Sequence, residues 1–254
     1  MTVCMPRHGA PFAGCATMRG MELYKFLQQQ GLGSRKFCRY LVDSGQVALN
    51  GQVIQDRELQ VDAQSSGAWT LSGEPWQPLA LPLYIMLHKP SGFETSHQPS
   101  HYPSVFSLLP ASFVQLGISA VGRLDADTTG LLLLSTDGQF VHALTSPRRH
   151  VAKRYRVGLK HPWNDEQLQR LQSGVVLKDD PQAVRADALE TPDALSLLLT
   201  ISEGRYHQVK RMVAAAGNRV LSLHRDRLGG LALGDLEPGQ WRLLSQDERC
   251  ALGF

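Results

Sequence analysis

At 254 residues the chain has room for one ordinary domain and one small one. A hydrophobic content of 43% supports a real core, while a net charge of +3 is too small to name a partner, so where the charge sits matters more than its total. No apolar run reaches about eighteen residues, which excludes a membrane helix, and Cys4, Cys15, Cys38 and Cys250 have neither C-x-x-C spacing nor zinc-type neighbours, a pattern that fits a reducing cytoplasm.

Residues 1–20 carry Pro and Gly where a signal peptide needs a continuous apolar core, so a disordered leader is expected there. Residues 21–63 read as one small unit. Leu23, Phe26 and Leu27 share a helical face, and Gly31 ends that helix. Ser34 is a good N-cap for a second helix, with Phe37, Leu41 and Val42 expected inside and Gly45 closing it. Asn50-Gly51 between two short apolar runs is a strong hairpin signal. The polar face of the second helix groups Arg35, Lys36 and Arg39. On charge alone that is a solvated basic face. Residues 64–82 are rich in Ser, Gly and Pro and read as a linker, with Trp69 and Trp76 packing part of it against a neighbour.

A second domain is expected over residues 83–254. Its first strand ends in Lys89-Pro90-Ser91-Gly92. The stretch Gly122 to Gly138, GRLDADTTGLLLLSTDG, puts Asp125 and Asp127 in a loop leading into the buried strand of Leu131 to Leu134. Such loops commonly carry chemistry, because the strand fixes them while they stay open to substrate. A calcium loop fails here, since its twelfth position is Thr136 rather than Glu and four leucines precede it. A phosphatase nucleophile loop would place its first Asp at the end of a hydrophobic strand, but Val-Gly-Arg-Leu precedes Asp125. The plain alternative is a solvated acidic turn.

Asp137 caps a helix that Pro147 stops. A basic turn from Arg148 to Arg154 runs into a strand alternating Tyr155, Val157 and Leu159 with charged residues. Residues 165–174 read as an amphipathic helix. In EGRYHQVKRMVAAAGNRV, a helical wheel puts Val209, Met212, Val213 and Ala216 on one side, His207 and Arg211 opposite, and Lys210 on the flank beside Val213. Strands outnumber helices and no βαβ rhythm repeats. The fold class expected is therefore α+β, with a mixed, mostly antiparallel sheet.

The helix pair followed by an Asn-Gly hairpin resembles the α-L RNA-binding module. It departs at Glu22-Leu23-Tyr24-Lys25-Phe26, where that module usually opens Arg-Leu-Asp-Lys-Phe. The order Lys-Pro-x-Gly, GRLD, basic turn with tyrosine, then EGRYHQVKRM resembles the pseudouridine synthases over essentially the whole second domain. His88 stands where Asn is usual. The wording of EGRYHQVKRM, LTSPRRH and LHRDRLGG is similar to the RsuA branch, which modifies bacterial ribosomal RNA. The resemblance implies an RNA pseudouridine synthase without a cofactor, acting in the cytoplasm on one uridine of 16S ribosomal RNA, uridine 516, with the RNA or a small-subunit assembly intermediate as partner and no obligate protein partner. It assigns Asp125 as the catalytic carboxylate, Tyr155 as the aromatic that stacks on the uracil, and Lys210 as the cation paired with the carboxylate. It leaves Asp127 a structural role within the loop, and Arg123 a contact to RNA near the flipped base. Arg148, Arg149, Lys153, Arg154, Arg205, His207 and Arg211 would form a phosphate-facing rim, joined by Arg35, Lys36 and Arg39 on the module. The rival readings are a non-catalytic RNA-binding or ribosome-assembly factor, a synthase acting on large-subunit RNA, and a metal-dependent phosphatase.

Overall fold

The structure, a computed structural model, describes residues 20–62, 67–178 and 180–254. The expected leader, apart from Gly20, lies outside the described residues. The chain divides into two compact units, residues 1–79 and 80–254.

In the first unit a short strand β1 (Met21–Glu22) leads into α1 (Leu23–Gln29), then α2 (Arg35–Asp43). Ser34 caps α2 by accepting from the Phe37 amide. The hairpin β2 (Val47–Leu49) and β3 (Gln52–Val53) turns through Asn50 and Gly51, both at positive φ, as a tight two-residue turn requires. β4 (Gln60–Val61) pairs with β1. The linker reading of residues 64–82 is corrected here. β5 (Trp69–Leu71) pairs with β2, and β6 (Glu74–Trp76) pairs with β5, making one four-stranded sheet. The Trp69 indole is 2% exposed and lies 5.6 Å from the Phe26 ring, so this stretch completes a core with Leu23, Leu27, Cys38, Leu41, Val42 and Val47. Burial of the Trp69 ring, with Trp76 partly buried against it, outweighs the turn-like composition that makes the segment look loose. Phe37, expected inside, is instead 46% exposed. The apolar face of α2 is narrower than the wheel suggests, being Cys38, Leu41 and Val42.

The second unit is built on a sheet of nine strands. In chain order its elements are β7 (Tyr84–Lys89), α3 (Ala111–Gln115), β8 (Ser119–Val121), β9 (Thr129–Ser135), α4 (Gly138–Thr145) and β10 (Lys153–Leu159). There follow α5 (Asp165–Ser173), the hairpin strands β11 (Val175–Leu177) and β12 (Asp180–Val184), β13 (Ala188–Asp193), β14 (Ser196–Ile201) and α6 (Gln208–Ala215). The chain closes with β15 (Val220–Leu228), β16 (Leu231–Ala232), β17 (Trp241–Leu243) and α7 (Gln246–Ala251). The main order is β13-β14-β10-β15-β9-β7-β17, with β16 beside β15 and β8 beside β9. Every pairing is antiparallel except β15 with β9. The expected α+β class with a mostly antiparallel sheet is what the chain adopts.

Leu131 to Leu134 are all fully buried, because β9 is covered on both faces. One face packs Met86, Leu131, Leu133 and Leu228 under Phe140 and Leu144 of α4. Asp137 caps α4 by accepting from Gln139 and Phe140, and it also accepts from the Tyr84 hydroxyl. The opposite face carries the site. Among the described residues no helix is long and apolar enough to cross a membrane.

Candidate active site

The loop between β8 and β9 holds the two aspartates, and three neighbours pin it. The Thr95 hydroxyl donates to the Leu124 carbonyl, at 2.9 Å, and accepts from the Leu124 amide. The Gly92 amide donates to Ala126 O, at 2.8 Å. Lys89, with no exposed surface at all, donates from Nζ to the carbonyls of Pro90 (2.9 Å), Ala126 (3.1 Å) and Thr128 (2.9 Å). Leu124 is buried like a plug, and the turn closes with Thr128 N on Asp125 O. The physical purpose of Lys-Pro-x-Gly is therefore to clasp the aspartate loop from the end of the adjacent strand. The sequence carries a hint of this, a lysine closing the apolar run Leu83 to Leu87 with only His88 between.

Asp125 emerges from this clasp with its side chain 29% exposed. Its Oδ2 lies 3.1 Å from Lys210 Nζ and its Oδ1 lies 3.3 Å from His207 Nε2. Lys210 also reaches Asp127 Oδ1 at 2.6 Å. Its ammonium thus bridges both carboxylates. Burial pulls the Lys210 pKa down, but the bonds to Asp127 and Asp125 outweigh it and hold it above the ordinary lysine value. Burial pushes Asp127 up, and Lys210 more than reverses that, leaving it below the usual carboxylate range.

Lys210 comes from the first turn of α6, whose apolar residues Val209, Met212 and Val213 are buried. The turn before it is knit by Gln208, buried itself. Its amide Nε2 donates to Glu203 at 3.0 Å, and its Oε1 accepts from the Arg205 backbone at 2.8 Å. His207 sits at the N-cap in the left-handed region, φ 49°, with its ring stacked on Tyr206 at 3.8 Å. A non-glycine residue held at positive φ is strained, and such strain clusters at functional sites.

Tyr155 is reached by register. Across four adjacent strands, Tyr155 of β10 pairs with Arg225 of β15, Arg225 with Gly130 of β9, and Gly130 with Lys89 of β7. Directly paired residues share a sheet face. Tyr155 therefore stands on the face of the clasp, two strand spacings or about 10 Å from Gly130 at the backbone. A Cβ on Gly130 would collide with the backbone of Arg225, so only glycine lets β15 run alongside the loop.

The structure thus brings Asp125, Lys210 and His207 into contact and puts Tyr155 on their side of the sheet. Asp127 is not merely tied back into its loop but shares Lys210. His207 was expected on an outer rim facing phosphates, and this is corrected. The helix begins one residue later, at Gln208, so a wheel drawn from His207 does not apply to it. Three further rim residues are engaged within the protein. Arg154 makes a two-pronged pair with Asp226, at 3.0 and 2.8 Å, which raises its pKa. Arg205 pairs with Asp180 and Glu203. Lys153 donates to the Val151 carbonyl, and burial, helped by nearby Arg225, pushes its pKa down to about 8. Arg123, Arg148 and Arg149 are exposed, with Arg149 over the Phe254 ring, and Arg211 donates to Tyr206 O. In the first unit Arg35 donates to the Tyr24 hydroxyl at 2.8 Å, the Arg39 guanidinium lies 4.5 Å from the Tyr24 ring centroid, and Lys36 is exposed.

The clasp makes a pH prediction. Burial pushes Lys89 down to about 8, against the opposing pull of Asp127 and Asp125. Its ordinary value, near 10.5, applies in the unfolded chain. Between the two the unfolded chain binds the extra proton, so this group's contribution to stability rises as pH climbs from about 8 to 10.5. Denaturant unfolding of the parent and Lys89→Met across that range should show the parent's relative stability increasing with pH. A flat difference would mean that Lys89 titrates as it does in water.

The profile of the RNA pseudouridylate synthase family matches residues 83–215, the span that holds the clasp, the aspartate loop, Tyr155 and Lys210. The chain belongs to that family. It is an RNA pseudouridine synthase of the RsuA branch. The ribosomal small subunit pseudouridine synthase A of Yersinia pestis is 40% identical over 234 residues, covering 92% of this chain and 98% of that one. The protein of the same name from Escherichia coli K12 is 39% identical over 229 residues, covering 90% and 98%. A crystal structure of a pseudouridylate synthase superposes with a TM-score of 0.64 at 34% identity, covering 91% of this chain and 99% of its own. The phosphatase alternative also meets a physical obstacle. The ammonium of Lys210 occupies the place between Asp125 and Asp127 that a divalent cation would take.

Proposed function

We propose that this synthase isomerises one uridine of small-subunit ribosomal RNA, uridine 516 of 16S RNA, with Asp125 as the carboxylate that acts beside the sugar. The observation that carries the reading is the half-buried Asp125 on a clasped loop, with each oxygen facing its own partner, Lys210 or His207. The isomerisation moves the sugar from a ring nitrogen to a ring carbon and needs no redox step. The uridine must leave its stack first, at a cost of about a few kcal/mol. Tyr155 stacks on the extruded uracil, and Lys210 supplies the counter-charge that makes a half-buried carboxylate tolerable. Arg123, on the exposed side of the same loop, contacts RNA beside the vacated position, and Arg148 and Arg149 offer phosphate contacts. The first unit, residues 21–63 together with β5 and β6, acts as an RNA-binding module and residues 83–254 as the catalytic domain. The substrate is RNA or a small-subunit assembly intermediate in the cytoplasm, with no obligate protein partner. The names of the Yersinia pestis and Escherichia coli relatives support the small subunit over the large one.

Mapping pseudouridine in ribosomal RNA from cells with and without the protein tests the target. Loss at uridine 516 alone is expected, and loss confined to large-subunit RNA would overturn the reading. The stacking role has its own test. Base–aromatic stacking is worth roughly 1–3 kcal/mol, so Tyr155→Phe should retain turnover and Tyr155→Ala should lose about ten- to a hundredfold in kcat/KM. Equal damage from both would give the work to the hydroxyl instead.

A further inference from the structure

The first unit keeps most of its aromatic rings inside. Tyr24, Phe26 and Trp69 are each 2% exposed or less, and Trp76 is partly buried. Phe37 and Tyr40 are the exceptions among the described residues, at 46% and 57% exposed. They stand three residues apart on α2, so they are neighbours on one helical surface. Their ring centroids are 6.3 Å apart and tilted by 30°. The patch is also anchored. The Phe37 ring lies over Gly33, where a Cβ would come within 2.8 Å of it, and the Ser34 cap fixes the helix start beneath it. A ring held on one side and open on the other loses little freedom when something stacks on it.

The surroundings decide what that something is. The first turn of α2 has no acidic residue, and Lys36, one helical turn before Tyr40, stands beside the rings, while Arg35 and Arg39 lie round the helix toward Tyr24. Asp43, at the far end of the helix, is already paired with Arg57. Arg35 and Arg39 are both held against Tyr24, so they give positive charge at fixed positions, while the open contact surface belongs to the aromatic pair. An exposed cation beside exposed rings, with two more fixed farther round the same helix, fits a polyanion that presents flat apolar faces. Unpaired nucleobases have such faces available, whereas those of a duplex are covered. We propose that Phe37 and Tyr40 form a stacking platform for unpaired bases of the RNA substrate, so that this unit grips single-stranded segments by their bases as well as by their phosphates. The inference rests on the chain acting on RNA and is independent of which nucleotide is modified.

The test uses the full chain and two probes, a labelled oligouridylate and a blunt RNA duplex of equal length. Phe37→Leu with Tyr40→Leu keeps helix propensity and apolar bulk. Tyr40→Leu alone leaves the Phe37–Gly33 contact untouched, and an unchanged unfolding midpoint reports the fold. Oligouridylate affinity should fall at least about fivefold in the double variant, the lower bound for one stacked base. The slope of log affinity against log salt should stay the same, because no phosphate contact is removed. Lys36→Gln should do the reverse and flatten that slope. Duplex binding should be unaffected by loss of the rings. Unchanged oligouridylate affinity in both folded variants would overturn the platform and leave the patch to a protein partner. An equal loss on the duplex, or a flattened slope in the leucine variants, would also overturn it.

Discussion

Asp125→Asn should reduce pseudouridine formation by about 10³-fold or more while RNA binding survives. The substitution keeps size and shape, and the Asn carbonyl oxygen can still accept from Lys210. What it removes is the negative charge that the proposed reading sets beside the sugar. Proton transfer by a positioned side chain is worth about 10²–10⁴-fold, and a covalent role would be worth no less. Structural collapse is not expected, because Lys210 keeps Asp127 at 2.6 Å and the clasp from Lys89 binds loop carbonyls rather than the Asp125 side chain. Asp127→Asn is the necessary comparison. Its side chain is 71% exposed and shares Lys210 at the rim, so its loss should lower turnover far less. Release of tritium from uridine labelled at ring carbon 5 reads both variants, since that carbon exchanges its hydrogen for the sugar bond. If Asp125→Asn turned over at near-parental rate and Asp127→Asn did not, the two roles would have to be exchanged.

Much of this site is legible in the order of residues, and the reasons are physical. Leu131 to Leu134, a short apolar run between turn signals, reads as a strand covered on both faces, which fixes the loop before it at one end. The apolar spacing of Val209, Met212 and Val213 places Lys210 at the edge of a buried surface, which is where a cation meets a half-buried carboxylate. Other features depend on contacts between distant segments. Periodicity cannot tell whether a helix starts at His207 or Gln208, and that one residue moves His207 from the outer surface to Asp125. It cannot show that Arg154 and Arg205 have carboxylates waiting on other strands, at Asp226 and Asp180. The two tryptophans of residues 64–82 do signal packing against a neighbour, but composition cannot show that the stretch forms strands that complete the first unit's own core. Lys89 is the clearest case. Its neighbours hint at burial, but its three carbonyl partners come partly from a loop nearly forty residues downstream.

Lys210→Met should cost both stability and rate, and the pattern of that cost can tell a pair from two independent residues. The Lys210 side chain is 24% exposed and that of Asp125 29%, so each is partly withdrawn from water. Removing one partner of a well-buried pair costs about 3–5 kcal/mol. Residual exposure and the remaining contact to His207 reduce this to about 1–3 kcal/mol here. Two carboxylates would also be left facing one another across the vacated position. Turnover should fall about 10²-fold, because the carboxylate loses the group that orients Oδ2. Lys210→Arg keeps the charge and a donor and should retain most of the rate. In Asp125→Asn with Lys210→Met no lone half-buried charge remains, and the only widowed group is the exposed Asp127. The double variant should therefore be less destabilised than the sum of the singles, with a coupling of about 1 kcal/mol or more in denaturant unfolding. Strict additivity would show that the 3.1 Å contact contributes nothing in solution. A Lys210→Met protein as active as the parent would leave His207 as the sole partner that Asp125 needs.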